Sequence, residues 1–123
     1  MIEMQLGFDF ELTGRKNIKL ALAYSGRLVS YSKELEEQVI DFAELNDDID
    51  MPMKLFSSGM IERLAFAVSV HQQPEILLLD EVLSAGDAKF IAKSERYMQD
   101  MLTRTPISLI VHHNMDNIIK FCN

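Results

Sequence analysis

The chain has 123 residues, 48% hydrophobic and 25% charged, with a formal net charge of −7; that length and balance suit a single globular core. The negative charge argues against non-specific binding to nucleic acid or to an anionic membrane face, both of which need concentrated lysine and arginine. A lone cysteine, Cys122, cannot close an internal disulfide, the start Met1-Ile2-Glu3-Met4 lacks a signal-peptide pattern, and no apolar run nears the roughly 20 residues of a membrane span, so a cytosolic chain without membrane insertion or structural metal is expected.

In chain order, Thr13 to Tyr24 carries Ile18, Ala21 and Leu22 at helical spacing behind Thr13 as N-cap, which predicts a helix ending near Gly26. Ser32 caps a second predicted helix to about Leu45. Its apolar face holds Leu35, Val39, Phe42 and Ala43, while Glu34, Glu36, Glu37 and Asp41 form an acidic face expected to be solvated. The Asp-rich stretch Asn46 to Pro52 reads as a loop, and Ser57 opens a third helix through His71.

The pattern changes after Pro74. Ile76-Leu77-Leu78-Leu79, ending in Asp80-Glu81, reads as a strand buried on both faces of a parallel sheet. A helix from about Asp87 to Leu102 follows, then a second buried strand at Ile107 to Val111, then a helix capped by Asn114. Strand, helix, strand implies a right-handed parallel crossover. The expected fold class is α/β, with a helical part over residues 1–73 and an α/β part over residues 74–123.

Three places carry chemistry. An apolar strand ending in two carboxylates suits nucleotide hydrolysis: Asp80 would hold Mg²⁺, usually through water, and Glu81 would polarise the water attacking a γ-phosphate. A solvated acidic turn is the alternative. Phe56-Ser57-Ser58-Gly59-Met60 puts small residues at a helix start, where free N–H groups and the dipole favour phosphate; an ordinary serine cap is the alternative. His113 follows a predicted strand, where imidazole would contact a γ-phosphate or serve only structure. Asp87 is expected to cap the helix after it in any case.

The order and spacing of these segments resemble those of ABC transporter ATPases. In that resemblance Phe56 to Met60 looks like the signature motif, Ile76 to Asp80 like Walker B, Glu81 like the catalytic glutamate, Ser84 to Asp87 like the D-loop and His113 like the switch histidine. Glu11-Leu12-Thr13-Gly14-Arg15, Asn17-Ile18, Ser57-Ser58-Gly59-Met60, Arg63 to Val68 and His113-Asn114-Met115 are similar to the branch that exports O-antigen, capsule or teichoic acid. Lys16, Phe10 and His112 stand where glutamate, proline and serine are usual, and Gln5 lies about one residue out of register with the Q-loop.

The resemblance implies a P-loop NTPase (RecA-like) fold, ATP and Mg²⁺ as cofactors, ATP hydrolysis coupled to polysaccharide export, and a peripheral position on the inner face of the plasma membrane. It also implies two partners, a transmembrane permease subunit and a second nucleotide-binding domain in a homodimer. Ser57, Ser58, Gly59, Met60, Asp87 and Gln5 would contact the nucleotide, and Phe8, Phe10 and Arg15 are the expected permease contacts.

A Walker A loop needs Gly-x-x-x-x-Gly-Lys-Ser/Thr, and none of Gly7, Gly14, Gly26, Gly59 and Gly86 begins one. The chain is therefore expected to be N-terminally truncated, inactive alone, and part of an ATP hydrolase when complete. A non-catalytic module docking on the permease or on a complete homologue is the competing class. Chromosome-maintenance ATPases share these motifs, but their long inserted coiled coil has no room between Thr13 and Phe56.

Overall fold

The computed structural model describes residues 7–24, 31–72, 76–80, 87–112 and 115–122; for residues 77–80, 117 and 120–122 the description covers the backbone. The elements are α1 (Gly14–Tyr24), α2 (Lys33–Ala43), a 3-10 turn (Met53–Leu55), α3 (Ser58–His71), β1 (Ile76–Asp80), α4 (Ala88–Arg104), β2 (Ile107–Val111) and α5 (Met115–Cys122). The described residues fall into two compact units divided between Gln72 and Gln73.

Helix starts are decided locally. Thr13 Oγ1 accepts from the Lys16 amide at 3.2 Å, Ser32 Oγ from Leu35 at 3.1 Å, Ser57 Oγ from Met60 at 3.2 Å and an Asp87 carboxylate oxygen from Phe90 at 2.8 Å. Each bond satisfies an amide that the first helical turn leaves without a carbonyl. α2 stops earlier than its periodicity suggests because Glu44 turns left-handed, φ +57°, and returns its N–H to Asp41 and Ile40.

In the helical unit, Ile18 and Leu22 of α1, Val39, Ile40 and Ala43 of α2, and Leu64, Ala67 and Val68 of α3 join Leu45, Ile49, Met53 and Phe56 in one core. Full burial of a large aliphatic side chain stabilises by about 1.5–3 kcal/mol, so this cluster is the main source of the unit's cohesion. Phe42 stacks on Phe66 at 6.0 Å and meets the His71 ring edge-on at 5.5 Å, tying α2 to α3.

A strap lays residues 10–14 along 49–54. Met53 N–H donates to Leu12 O at 2.9 Å and Lys54 N–H to Phe10 O at 3.0 Å, with an antiparallel bridge between Thr13 and Pro52. Here Gly14 is tightly enclosed. A β-carbon on it would lie 2.8 Å from Ile49 Cδ1, 2.9 Å from Phe56 Cζ and 3.1 Å from the Ile49 carbonyl oxygen. Asn17, also buried, locks the same strap by accepting from the Asp9 amide and donating to the Asp9 and Thr13 carbonyls at 2.8–3.0 Å.

The α/β unit has β1 and β2 paired parallel, in register from Ile76↔Ile107 to Asp80↔Val111. α4 buries Phe90, Ser94, Met98 and Met101, one stripe at helical spacing. One expectation is corrected. β2 is not buried: Ile107, Leu109 and Val111 are 57–58% exposed. A parallel strand reads as continuously apolar because such sheets are covered on both faces and flanked by further strands, and among the described residues this sheet has two strands. Among the described residues no helix is long and apolar enough to cross a membrane.

Candidate functional site

The turn that opens α3 is built from both sides. Phe56 is buried in the core and returns its N–H to Met53 O, which anchors the entering chain. Ser57 is extended (φ −68°, ψ 162°), the geometry of an N-cap, and its hydroxyl takes the Met60 amide. The Met60 thioether takes the Ser57 amide in return, Sδ at 3.5 Å, so the two residues close a reciprocal capping box around the first turn. Among the described residues the Ser58 and Gly59 amides have no such partner. Gly59 faces open space: a β-carbon there would meet no atom within 4 Å. Unlike Gly14, it is not demanded by internal packing, and the bare backbone leaves two N–H groups approachable at the positive end of a helix dipole.

In the other unit, Asp80 ends β1 opposite Val111, so the strands leading to Glu81 and to His112 finish at one end of the sheet. In an open parallel α/β sheet the carboxyl ends of the strands are where ligands bind. Asp87 caps α4 as expected. Glu81, His113 and Gln5 lie outside the described residues, as do Ser84 to Gly86 and the Asn114 cap, while Asp80 is described by its backbone.

The expected permease contacts divide. Phe10 is exposed and Phe8 packs partly against the core, whereas Arg15 is committed internally. Its guanidinium bonds Glu36 at 2.6 Å, Glu37 at 3.0 Å and Asp50 at 2.8 Å. Asp50, then Glu36 and Glu37, raise its pKa further, leaving it a permanent cation.

The solvated acidic face expected for α2 holds at Glu34 and Asp41, which are exposed, and is corrected at Glu36, which is 2% exposed. Arg15, Lys19 and Tyr31 cover it, with Tyr31 Oη donating at 2.6 Å and Lys19 Nζ at 3.9 Å. Burial pushes the Glu36 carboxyl up, but hydrogen bonds from Tyr31 and Arg15 and the Lys19 charge outweigh it and hold the pKa below its ordinary value. Tyr31, donating to that carboxylate, is pushed up in turn. Sequence inspection also passes over the Met60 cap, since a sulfur at this position lacks the usual Glu/Gln signal of a capping box.

No protein-family model matches the chain. It is 40% identical along all 123 residues to the O-antigen export system ATP-binding protein RfbB of Klebsiella pneumoniae, covering 50% of that protein. It is 38% identical to the O-antigen export protein RfbE of Yersinia enterocolitica, covering 52% of it. It is 37% identical to the teichoic acids export protein TagH of Lactococcus lactis, covering 26%. The chain thus spans about half the length of the O-antigen relatives it matches. Its fold is similar, with a TM-score of 0.71, to an ATP-binding cassette solved as a post-hydrolysis dimer bound to ADP and Pi. That match has 22% identity and covers 98% of this chain and 53% of the other.

Proposed function

We propose, because all 123 residues align with part of the O-antigen and teichoic acids export ATP-binding proteins, that the chain is part of an ABC-type subunit coupling ATP hydrolysis to polysaccharide export. The observation that carries the reading is the α3 turn, where a glycine free of internal packing opens two amides at a capped helix start. In this reading the turn of one copy grips the terminal phosphate of a nucleotide held by a second copy. Ser58 and Gly59 amides then donate to its oxygens as charge develops there.

Asp80, a hard oxygen donor at a strand end, has the chemistry Mg²⁺ takes, and the ion would neutralise charge on the phosphates. Glu81 would orient a water and draw its proton as the water oxygen bonds the γ-phosphorus. The bond from that phosphorus to the bridging oxygen breaks, leaving ADP and phosphate. His113 would donate to the γ-phosphate, and Asp87 would hold the α4 start against the partner copy. The exposed Phe10 would meet a membrane-embedded permease, which places the subunit peripherally on the cytoplasmic face. Gln5 would contact the nucleotide from the preceding segment.

The experiment is a chimera in which residues 1–123 replace the matching half of the Klebsiella relative. It should hydrolyse ATP and restore O-antigen export, and Glu81→Gln should abolish hydrolysis while leaving ATP binding. A folded chimera without hydrolysis refutes the reading.

A further inference from the structure

We propose that the basic flank of α4 docks, antiparallel, on the acidic face of α2 in a second copy of the chain. This contact uses neither the α3 turn nor the strand ends, so it goes beyond the function proposed above and its test stands apart from that reading.

Charge is unevenly spread along the sequence: residues 34–50 hold eight carboxylates and no lysine or arginine, so an acidic surface is concentrated on α2 and the loop after it. On α2, Glu34 and Asp41 are exposed and lie two helical turns apart, with Glu37 and Gln38 between them. These four form one stripe at positions i, i+3, i+4 and i+7. α4 repeats the spacing with the opposite charge in Lys89, Ala92, Lys93 and Arg96. With Tyr97 and Asp100 they line a groove of about 540 Å³, and the Asp100 carboxylate is bonded to Arg104. Among the described residues Lys89, Arg96 and Glu34 have no counter-ion, while Asp41 accepts from the neutral Asn46 side-chain amide.

Laid antiparallel, the two stripes bring Glu34 to Arg96, Glu37 to Lys93 and Asp41 to Lys89, the outer pairs about 10 Å apart along the helix axis. Gln38 then covers the small Ala92, which lets the helices approach. A parallel arrangement sets Glu37 on Ala92 and Gln38 on Lys93, and so forfeits the central pair. Glu37 gives one oxygen to Arg15 and meets Lys93 with the other. The net charge of −7 makes copies repel in most orientations and disfavours nucleic acid and anionic lipid alike. The approach in which stripe meets stripe is therefore the attractive one. Exposed ion pairs contribute little individually, so the association is weak and salt-sensitive.

The test uses two double variants of the 123-residue chain: Lys89→Glu with Arg96→Glu, and Glu34→Lys with Asp41→Lys. All four side chains are exposed, and circular dichroism checks that helix content is kept. Sedimentation equilibrium should show wild type associating at low salt and dissociating as salt rises. Each variant alone should associate roughly tenfold more weakly or not at all, because like charges then face one another. Their equimolar mixture should recover the wild-type affinity, since every acidic α4 now finds a basic α2 and every basic α4 an acidic one. The Glu34→Lys, Asp41→Lys variant is less negative than wild type, so general repulsion alone predicts that it self-associates more strongly, the reverse of the outcome expected here. A wild type that stays monomeric overturns the proposal, as does a mixture no tighter than its components. Binding of a monomeric wild type to phosphatidylglycerol vesicles, lost in Lys89→Glu with Arg96→Glu, overturns it too and assigns the α4 flank to lipid.

Discussion

Replacing Glu36 with glutamine removes the charge on which Arg15, Lys19 and Tyr31 converge, while keeping the side-chain shape. The carboxylate accepts at 2.6 Å from Arg15 on one oxygen and at 2.6 Å from Tyr31 on the other. A glutamine can keep its oxygen towards Arg15 and donate its NH₂ to the Tyr31 hydroxyl, which accepts as well as donates, so both contacts persist but neither retains the carboxylate charge that strengthens them. Hydrogen bonds to charged groups contribute about 1.5–3 kcal/mol each. The cover over Glu36 is polar and lies near the surface, with Arg15 28% and Lys19 50% exposed, so water re-enters easily and the lower part of that range applies. The expected loss is about 2 kcal/mol, or a fall of roughly 8–16 °C in melting temperature for a unit of this size. Urea unfolding followed by far-UV circular dichroism measures it, with amide exchange in α2 locating it. Asp50→Asn is the control, because Asp50 is 70% exposed and an exposed pair contributes about 0–1 kcal/mol and fades in salt. If Glu36→Gln costs less than about 0.5 kcal/mol, or no more than Asp50→Asn, the buried-carboxylate argument is wrong.

Two further outcomes follow from the same unit. His71 is buried, its Nδ1 lies 2.6 Å from the Ala67 carbonyl, and burial outweighs that bond to lower its pKa below the ordinary 6.5. The fold therefore favours neutral imidazole: its contribution is complete above about pH 6.5 and declines below it, as the unfolded chain takes up a proton that the folded chain refuses. Urea midpoints should fall between neutral and mildly acid pH, and His71→Gln should flatten that slope; an unchanged slope places its origin elsewhere. The glycines should separate: Gly14→Ala should cost about 1–3 kcal/mol because the Ile49 carbonyl cannot yield cheaply. Gly59→Ala should leave stability unchanged or raise it by up to about 1 kcal/mol, yet impair ATP turnover in the chimera. Equal melting shifts for the two would refute the distinction.

The sequence by itself determined what is settled within a few residues of chain. The caps at Thr13, Ser32, Ser57 and Asp87 join a side chain to an amide three positions on, and the strands Ile76–Asp80 and Ile107–Val111 stand out as apolar runs between breakers. The α3 turn and the β1 end were legible for the same reason. Only the tertiary structure decided the fate of Glu36, since that depends on Arg15 arriving from 21 residues away. Likewise Gly14 is favoured by packing because Ile49 and Phe56 close on it, and Gly59 is not, although both read alike as glycines at helix starts. The exposure of Ile107, Leu109 and Val111 runs against their hydropathy, because a side chain's affinity for a core is local whereas the surfaces available to cover it are not.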